Sequence, residues 1–256
     1  MNNIIFIFSH QDDEFGLFNV IEKFAKKRKN VFIIYLTSGL KTKNISNKNK
    51  NLRRDNESIK TLLRLGINKN NIFFLGKKLN IPVYSLHRNL KNVHDEICKF
   101  LNKYKGQHVI FTHSWEGGNE DHDSSFVIVK KILYKNTKVF KAFEFSQYNN
   151  YKTKILPFRI QNFIYDKKKI YRNKIKFYDK LKYIKLLFNY VSQSYIWLPI
   201  FPFILVRIIM NDYGNLKLIN KNLIIKKPHK GILLYEKLRE KKYTNFRKYF
   251  LRFLLN

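Results

Sequence analysis

Asn3-Ile4-Ile5-Phe6-Ile7-Phe8-Ser9-His10-Gln11-Asp12-Asp13-Glu14 is the stretch that decides the fold. Ile4 to Phe8 is an unbroken apolar run, too short for a membrane span and without polar alternation. Such a run reads as a strand buried on both faces, as in a parallel sheet covered by helices. Sheets of that kind bind ligands beyond the carboxyl ends of their strands. At that end stand one imidazole, His10, and three carboxylates, Asp12, Asp13 and Glu14. Adjacent carboxylates repel, so their company points to a cation or a proton-transfer site.

Working outward, further strand-like runs occur at Val31–Leu36, Asn71–Leu75, His108–Thr112 and Lys138–Phe145. Helical stretches separate them at Phe15–Lys29, Leu52–Leu65, Leu90–Tyr104 and Asp121–Tyr134. Four alternations of strand and helix predict an α/β fold with a mainly parallel sheet. The fourth strand leads into Thr112-His113-Ser114-Trp115-Glu116-Gly117-Gly118-Asn119-Glu120-Asp121-His122-Asp123. Gly117-Gly118 permits a tight turn, and Asn119 is a helix N-cap that places His122 in the first turn. Seven of the 18 acids fall in these two segments. Imidazole and carboxylate together bind zinc, and three protein ligands with one open position make a catalytic site. The plainer reading is that these acids complement helix N-termini. Two clusters at matching strand ends favour one shared site.

The 256 residues are 45% hydrophobic and 16% aromatic, which excludes a disordered tail. A single cysteine, Cys98, excludes an internal disulfide framework and a multi-cysteine zinc ribbon. Lys and Arg number 51 against 18 acids, a net charge of +33. Such an excess suits a polyanion or an anionic membrane, or else solvated lysines in a Lys- and Asn-rich chain. The lysines are scattered and the aromatics sit in apolar runs, so no nucleic acid is expected as a partner. The start lacks a basic leader region, and no secretory signal is expected.

Residues 1–150 are expected to form the chemical core. Residues 151–256 form a basic region that packs on it and completes the pocket. There Asn173–Ser192 reads as helical. Tyr195–Val206 is apolar, interrupted by Pro199 and Pro202, and shorter than the roughly 20 residues of a span. It is either a core segment or a patch resting on a membrane surface. Asn215–Lys227 and Gly231–Tyr235 are expected to pair as a hairpin, and Phe246–Leu255 to form an amphipathic helix.

The two polar segments resemble the signatures of the LmbE-like / PIG-L de-N-acetylases. The first is usually His-Pro-Asp-Asp-Glu and here reads His10-Gln11-Asp12-Asp13-Glu14. The second is usually Gly-Gly-His-Pro-Asp-His-Asp and here reads Gly117-Gly118-Asn119-Glu120-Asp121-His122-Asp123. Between them the family carries Arg-x-x-Glu on a helix ending in Leu-Gly, matched by Arg54 to Glu57 and by Leu65-Gly66. Past residue 145 the likeness rests on Ser192-Gln193 and on His229-Lys230-Gly231 before Leu234-Tyr235-Glu236.

The resemblance implies a Rossmann-like fold and hydrolysis of the N-acetyl group of a glucosamine-type sugar, dependent on zinc or another divalent metal. The substrate would be a nucleotide sugar, a glycolipid or a glycan precursor, and the setting cytoplasmic, with peripheral contact at the inner membrane face as an option. By position, His10, Asp13 and His122 would be the metal ligands and Asp12 the general base. Glu14 and Asp121 would support them from behind. Two departures stand out. Gln11 replaces a proline. Asn119 replaces the histidine to which the family assigns oxyanion stabilisation and proton donation. Asparagine donates a hydrogen bond but supplies no proton. That proton falls to Asp12, with Asn119 assisting at the oxyanion, or else to His113 from the same loop. Arg54 is a candidate for gripping a substrate phosphate, or else an exposed partner of Glu57. Trp115 stacks on a sugar or packs in the core. His229 reaches the pocket from the C-terminal part. A relative that binds metal and sugar without turnover is the alternative that Asn119 motivates.

Overall fold

The computed structural model describes residues 2–27, 29–41, 48–154, 157–164, 170–223 and 225–255. Its main sheet has seven strands in the order β3-β2-β1-β4-β5-β9-β8. These are β1 Asn3–Phe8, β2 Val31–Tyr35, β3 Ile72–Phe74, β4 His108–His113, β5 Val139–Phe145, β8 Ile170–Tyr171 and β9 Leu216–Leu218. A separate antiparallel pair joins β6 Tyr148–Asn149 to β7 Arg159–Ile160. Every pair from β3 to β5 is parallel, and β9 and β8 close that edge antiparallel. The fold is therefore the mainly parallel α/β sheet that the alternating runs predict.

All six residues of β1 are buried. Phe6 and Phe8 pack on one face with α1 Phe18–Lys26, α6 Phe177–Leu187 and α7 Ser194–Ile209. Ile5 and Ile7 pack on the other with α4 Leu90–Lys103, α5 Glu120–Lys135 and α9 Tyr243–Leu255. The chain goes from β1 to β2 on one side, while β4 pairs with β1 on the other, in register Ile4 with Val31 and Ile4 with Val109. This reversal opens a crevice at the carboxyl ends of β1 and β4. The two polar segments leave from those ends.

Several boundaries differ from expectation. The first helical stretch is split into a tight turn at Asp13–Gly16 and α1. The second, α2 Lys48–Arg64, starts four residues before Leu52. Asn173–Ser192 holds α6 and a short turn at Val191–Gln193. α7 accommodates both Pro199 and Pro202 within its length. The hairpin expected of Asn215–Lys227 and Gly231–Tyr235 does not form among the described residues, of which Ile224 is not one. Only Leu216–Leu218 is a strand, paired with β5 and β8. Gly231–Tyr235 instead runs into α8 Leu234–Arg239. The reason is local: Glu236 Oε2 accepts the Leu233 N–H at 2.8 Å and fixes a helix start there. Among the described residues no helix is long and apolar enough to cross a membrane.

Candidate metal centre

The turn after β1 brings Asp12 into a left-handed backbone conformation, φ 141°. A residue with a side chain seldom adopts it, and such strain collects at functional sites. The next residue, Asp13, reaches back to accept the His10 N–H at 2.7 Å. The turn after β4 needs its two glycines for separate reasons. Gly117 has φ +69°, and a Cβ on Gly118 would stand 1.8 Å from the Tyr148 carbonyl oxygen. Glu116 holds the segment after β5 against this turn. It accepts hydrogen bonds from Ser146 Oγ, Gln147 N, Tyr148 N and Asn149 Nδ2. Asn119 Oδ1 then accepts the Asp121 N–H at 2.8 Å and caps α5, as its residue type predicts.

These turns bring three buried side chains together. One ligand atom each from His10, Asp13 and His122 lies within 4.8 Å of the others. His122 Nε2 is 3.2 Å from Asp13 Oδ1, yet it makes no hydrogen bond of acceptable geometry. His122 Nδ1 is also without a hydrogen-bond partner. A buried imidazole nitrogen left unpaired beside a carboxylate is costly unless something else binds it. A divalent cation satisfies that requirement, and the donor set suits zinc. His10 presents Nε2 to Asp121 Oδ2 at 3.0 Å and has Nδ1 3.4 Å from Asp13 Oδ2. Asp121 is itself fixed by the backbone N–H groups of Tyr84 and Leu86.

Burial and close pairing shift the ionisable groups of the cluster in opposite directions. Burial penalises the Asp13 carboxylate, but His122, His113 and His10 hold it well below the usual range. Burial would lower His10, and Asp13 and Asp121 raise it to about 10. Burial and the adjacent His113 push His122 down to about 3. Burial lifts Asp12 to about 7 against the pull of Arg54. Glu14, also raised by burial, accepts from Tyr190 OH at 2.9 Å and from Asp12 N at 3.1 Å.

A cavity of about 650 Å³ adjoins the cluster. His10, Asp12, Asp13, Arg54 and Asn119 line it, all named from the sequence. His122 stands behind Asp13, fully buried. Besides His122, five sequence candidates stand outside the lining: Glu14 and Asp121, which brace the cluster, and His113, Trp115 and His229. His113 is buried, with Nε2 3.0 Å from Asp13 Oδ2 and its ring stacked 3.8 Å from that of His122. Trp115 packs 5.5 Å from Phe250 and donates its indole N–H to Lys226 O. His229 bonds Asn150 and the Gly231 N–H.

Arg54 is buried and does not pair with Glu57. Its guanidinium donates to Gly39 O, Gln11 O and Asp12 Oδ1, the last at 3.3 Å. Glu57 faces Arg53 at 3.4 Å and accepts from Ser192 N and Oγ. Sequence reasoning missed Tyr148, which lines the cavity and whose hydroxyl accepts the Asn119 Nδ2–H at 3.2 Å. Its signal was its place just beyond the carboxyl end of β5, the third strand end to converge here. Arg239 and Lys50 also line the cavity and were not anticipated.

A parallel α/β sheet with a His-Asp-His cluster in its switch-point crevice defines the class. The chain belongs to the GlcNAc-PI de-N-acetylase (PIG-L) family, whose pattern matches residues 5–133. No curated protein sequence matches it. Among solved structures it is similar to the N,N'-diacetylchitobiose deacetylase from Pyrococcus horikoshii in complex with its inhibitor MPG. That match has a TM-score of 0.57 and 18% identity, covering 85% of this chain and 83% of the other. It is also similar to the zinc-inhibited form of teicoplanin deacetylase, with TM-score 0.56, 11% identity, and 87% and 100% covered. At these identities the likeness concerns the fold.

Proposed function

We propose that the protein is a metal-dependent N-deacetylase that releases acetate from an N-acetylated amino sugar of the glucosamine type. The observation that carries this reading is the buried cluster of His10, Asp13 and His122 beside a cavity that Asp12 also lines. A divalent ion held by these three residues, zinc or another that accepts His and Asp donors, would supply a Lewis acid that polarises the acetamide carbonyl and acidifies the attacking water.

The chain's own groups do the rest. Asp12 takes a proton from the water as its oxygen bonds to the carbonyl carbon. When the carbon–nitrogen bond breaks, Asp12 returns that proton to the leaving amine, and acetate remains. Asn119 commits Oδ1 to capping α5 and one Nδ2–H to Tyr148, and so holds the tyrosine in place. The Tyr148 O–H, its oxygen already accepting from Asn119, is free to donate to the carbonyl oxygen as negative charge develops there. Arg54 keeps Asp12 aimed by bonding both its carboxylate and the Gln11 carbonyl. Lys41, Lys50, Arg53 and Arg239 line the same cavity and suit a phosphate-bearing substrate.

Purified protein loaded with zinc, offered nucleotide-linked and lipid-linked N-acetylglucosamine, is expected to release acetate from at least one. Metal retention with no acetate from any of them would sink the reading. If Asn119→His then restored turnover, the protein would be a binding relative that lost its proton donor.

A further inference from the structure

We propose that the outward face of the α6–α7 helix pair seats on an anionic lipid bilayer. The two helices lie antiparallel, with Lys180 Nζ bonded to Ile209 O at one end and the rings of Phe188 and Phe201 5.2 Å apart at the other. Each turns one stripe inward: Tyr183, Leu186 and Leu187 from α6, and Ile204 and Ile208 from α7, all in one core cluster. Each also turns an apolar stripe outward. On α7 it is Tyr195, Leu198, Pro202, Val206 and Ile209, at steps of three and four that share one side of a helix. Leu198 is 78% exposed. On α6 it is Phe177 and Leu181, continued by Phe188 just past the helix end, with Lys185 between. A water-facing helix side normally carries charge, and a contiguous exposed apolar face marks an interaction surface.

Charge selects the occupant. Residues 170–212 hold seven Lys and Arg against two acids. Both acids are already engaged, Asp179 with Lys182 and Lys26, and Asp212 with Arg207. An apolar face flanked by unbalanced lysines fits the boundary of an anionic bilayer. At 16 residues with two internal prolines, α7 suits lying in the interface plane and not spanning it. Ile196 and Ile200 of the same helix line the cavity, so seating α7 would bring the cavity to the lipid surface. The docking itself is independent of the reaction assigned to that cavity.

The test is co-sedimentation of the full chain with vesicles of phosphatidylcholine, with and without phosphatidylglycerol. Binding is expected only with the anionic lipid. It should survive in part at about 1 M NaCl, where charges are screened within about 3 Å. Phe188→Ser, Leu198→Ser and Val206→Ser together should weaken it at least about tenfold, since the inserted apolar area is lost. Leu198→Ser alone gives a smaller loss in the same direction, should the triple variant not fold. Tyr134→Ser with Phe140→Ser, exposed residues of α5 and β5, should bind as the wild type does. No pelleting with anionic vesicles would overturn the proposal. So would binding fully reversed by salt and untouched by the serines, because charge alone would explain it. A wild-type dimer in sedimentation velocity that the serines dissociate, without vesicle binding, would assign the face to a second copy instead.

Discussion

One cavity has two walls of opposite character. The wall from the ends of β1 and β4 is made of His10, Asp12, Asp13 and Asn119, polar groups held by other polar groups. The wall from α7 and α8 is made of Ile196, Pro199, Ile200, Leu234 and Leu238. The first is tightly held: Asp13 has several partners, Asp12 is gripped by Arg54, and its backbone is strained. The second presents mainly apolar side chains, which fix volume more than position, with Arg239 of α8, paired to Glu120, as its charged exception. Chemistry needs the first kind of wall, while recognition of a bulky or lipid-near substrate can use the second.

The largest effect expected is on the polar wall. Asp13→Ala should cut bound zinc to a small fraction of one equivalent by elemental analysis, and acetate release by on the order of 10³-fold or more. Unchanged metal content would mean that the cluster does not hold the metal. Next, Tyr148→Phe should lower kcat about 10²-fold, the scale of one lost oxyanion donor, without moving the thermal midpoint. A shifted midpoint with unchanged kcat would make the hydroxyl structural.

At the antiparallel edge of the sheet, away from both walls, Glu144 of β5 lies opposite Lys217 of β9, 3.7 Å away. Burial raises its carboxyl from 4.5 to about 7 despite that lysine. The folded protein thus holds a proton here that the unfolded chain releases, so this group's contribution to stability falls as pH rises from 4.5 to about 7. Glu144→Gln should remove this slope, gaining on the order of 2 kcal/mol at pH 8 in urea melts and nothing at pH 4. Equal gains at both pH values would refute the titration. Smallest, Asp12→Gly should relieve the backbone, adding about 1 kcal/mol of stability while abolishing turnover. A less stable glycine variant would show that no strain is stored there.

The parts legible in sequence are those whose signal is local. Ile4–Phe8 reads as a buried strand because five apolar residues in a row admit little else. Asn119 reads as a cap because its own side chain does the capping. Arg54 and Glu57 misled because helix spacing makes them neighbours, while burial sends each to a different element, Gly39 for one and Ser192 for the other. Gly231–Tyr235 alternates like a strand, but Glu236 decides otherwise from one residue beyond. Tyr148 carries no motif; its place depends on where the Gly118 backbone passes. The apolar α7 segment left both core and surface open, because hydropathy does not say which side a stripe faces.

Glu116 gives the segment after β5 an axle. Four donors from four successive residues radiate from its two oxygens, so Ser146 to Asn149 can shift only as one block. Whatever angle Tyr148 offers to a guest in the cavity is dictated from a carboxylate the guest never meets.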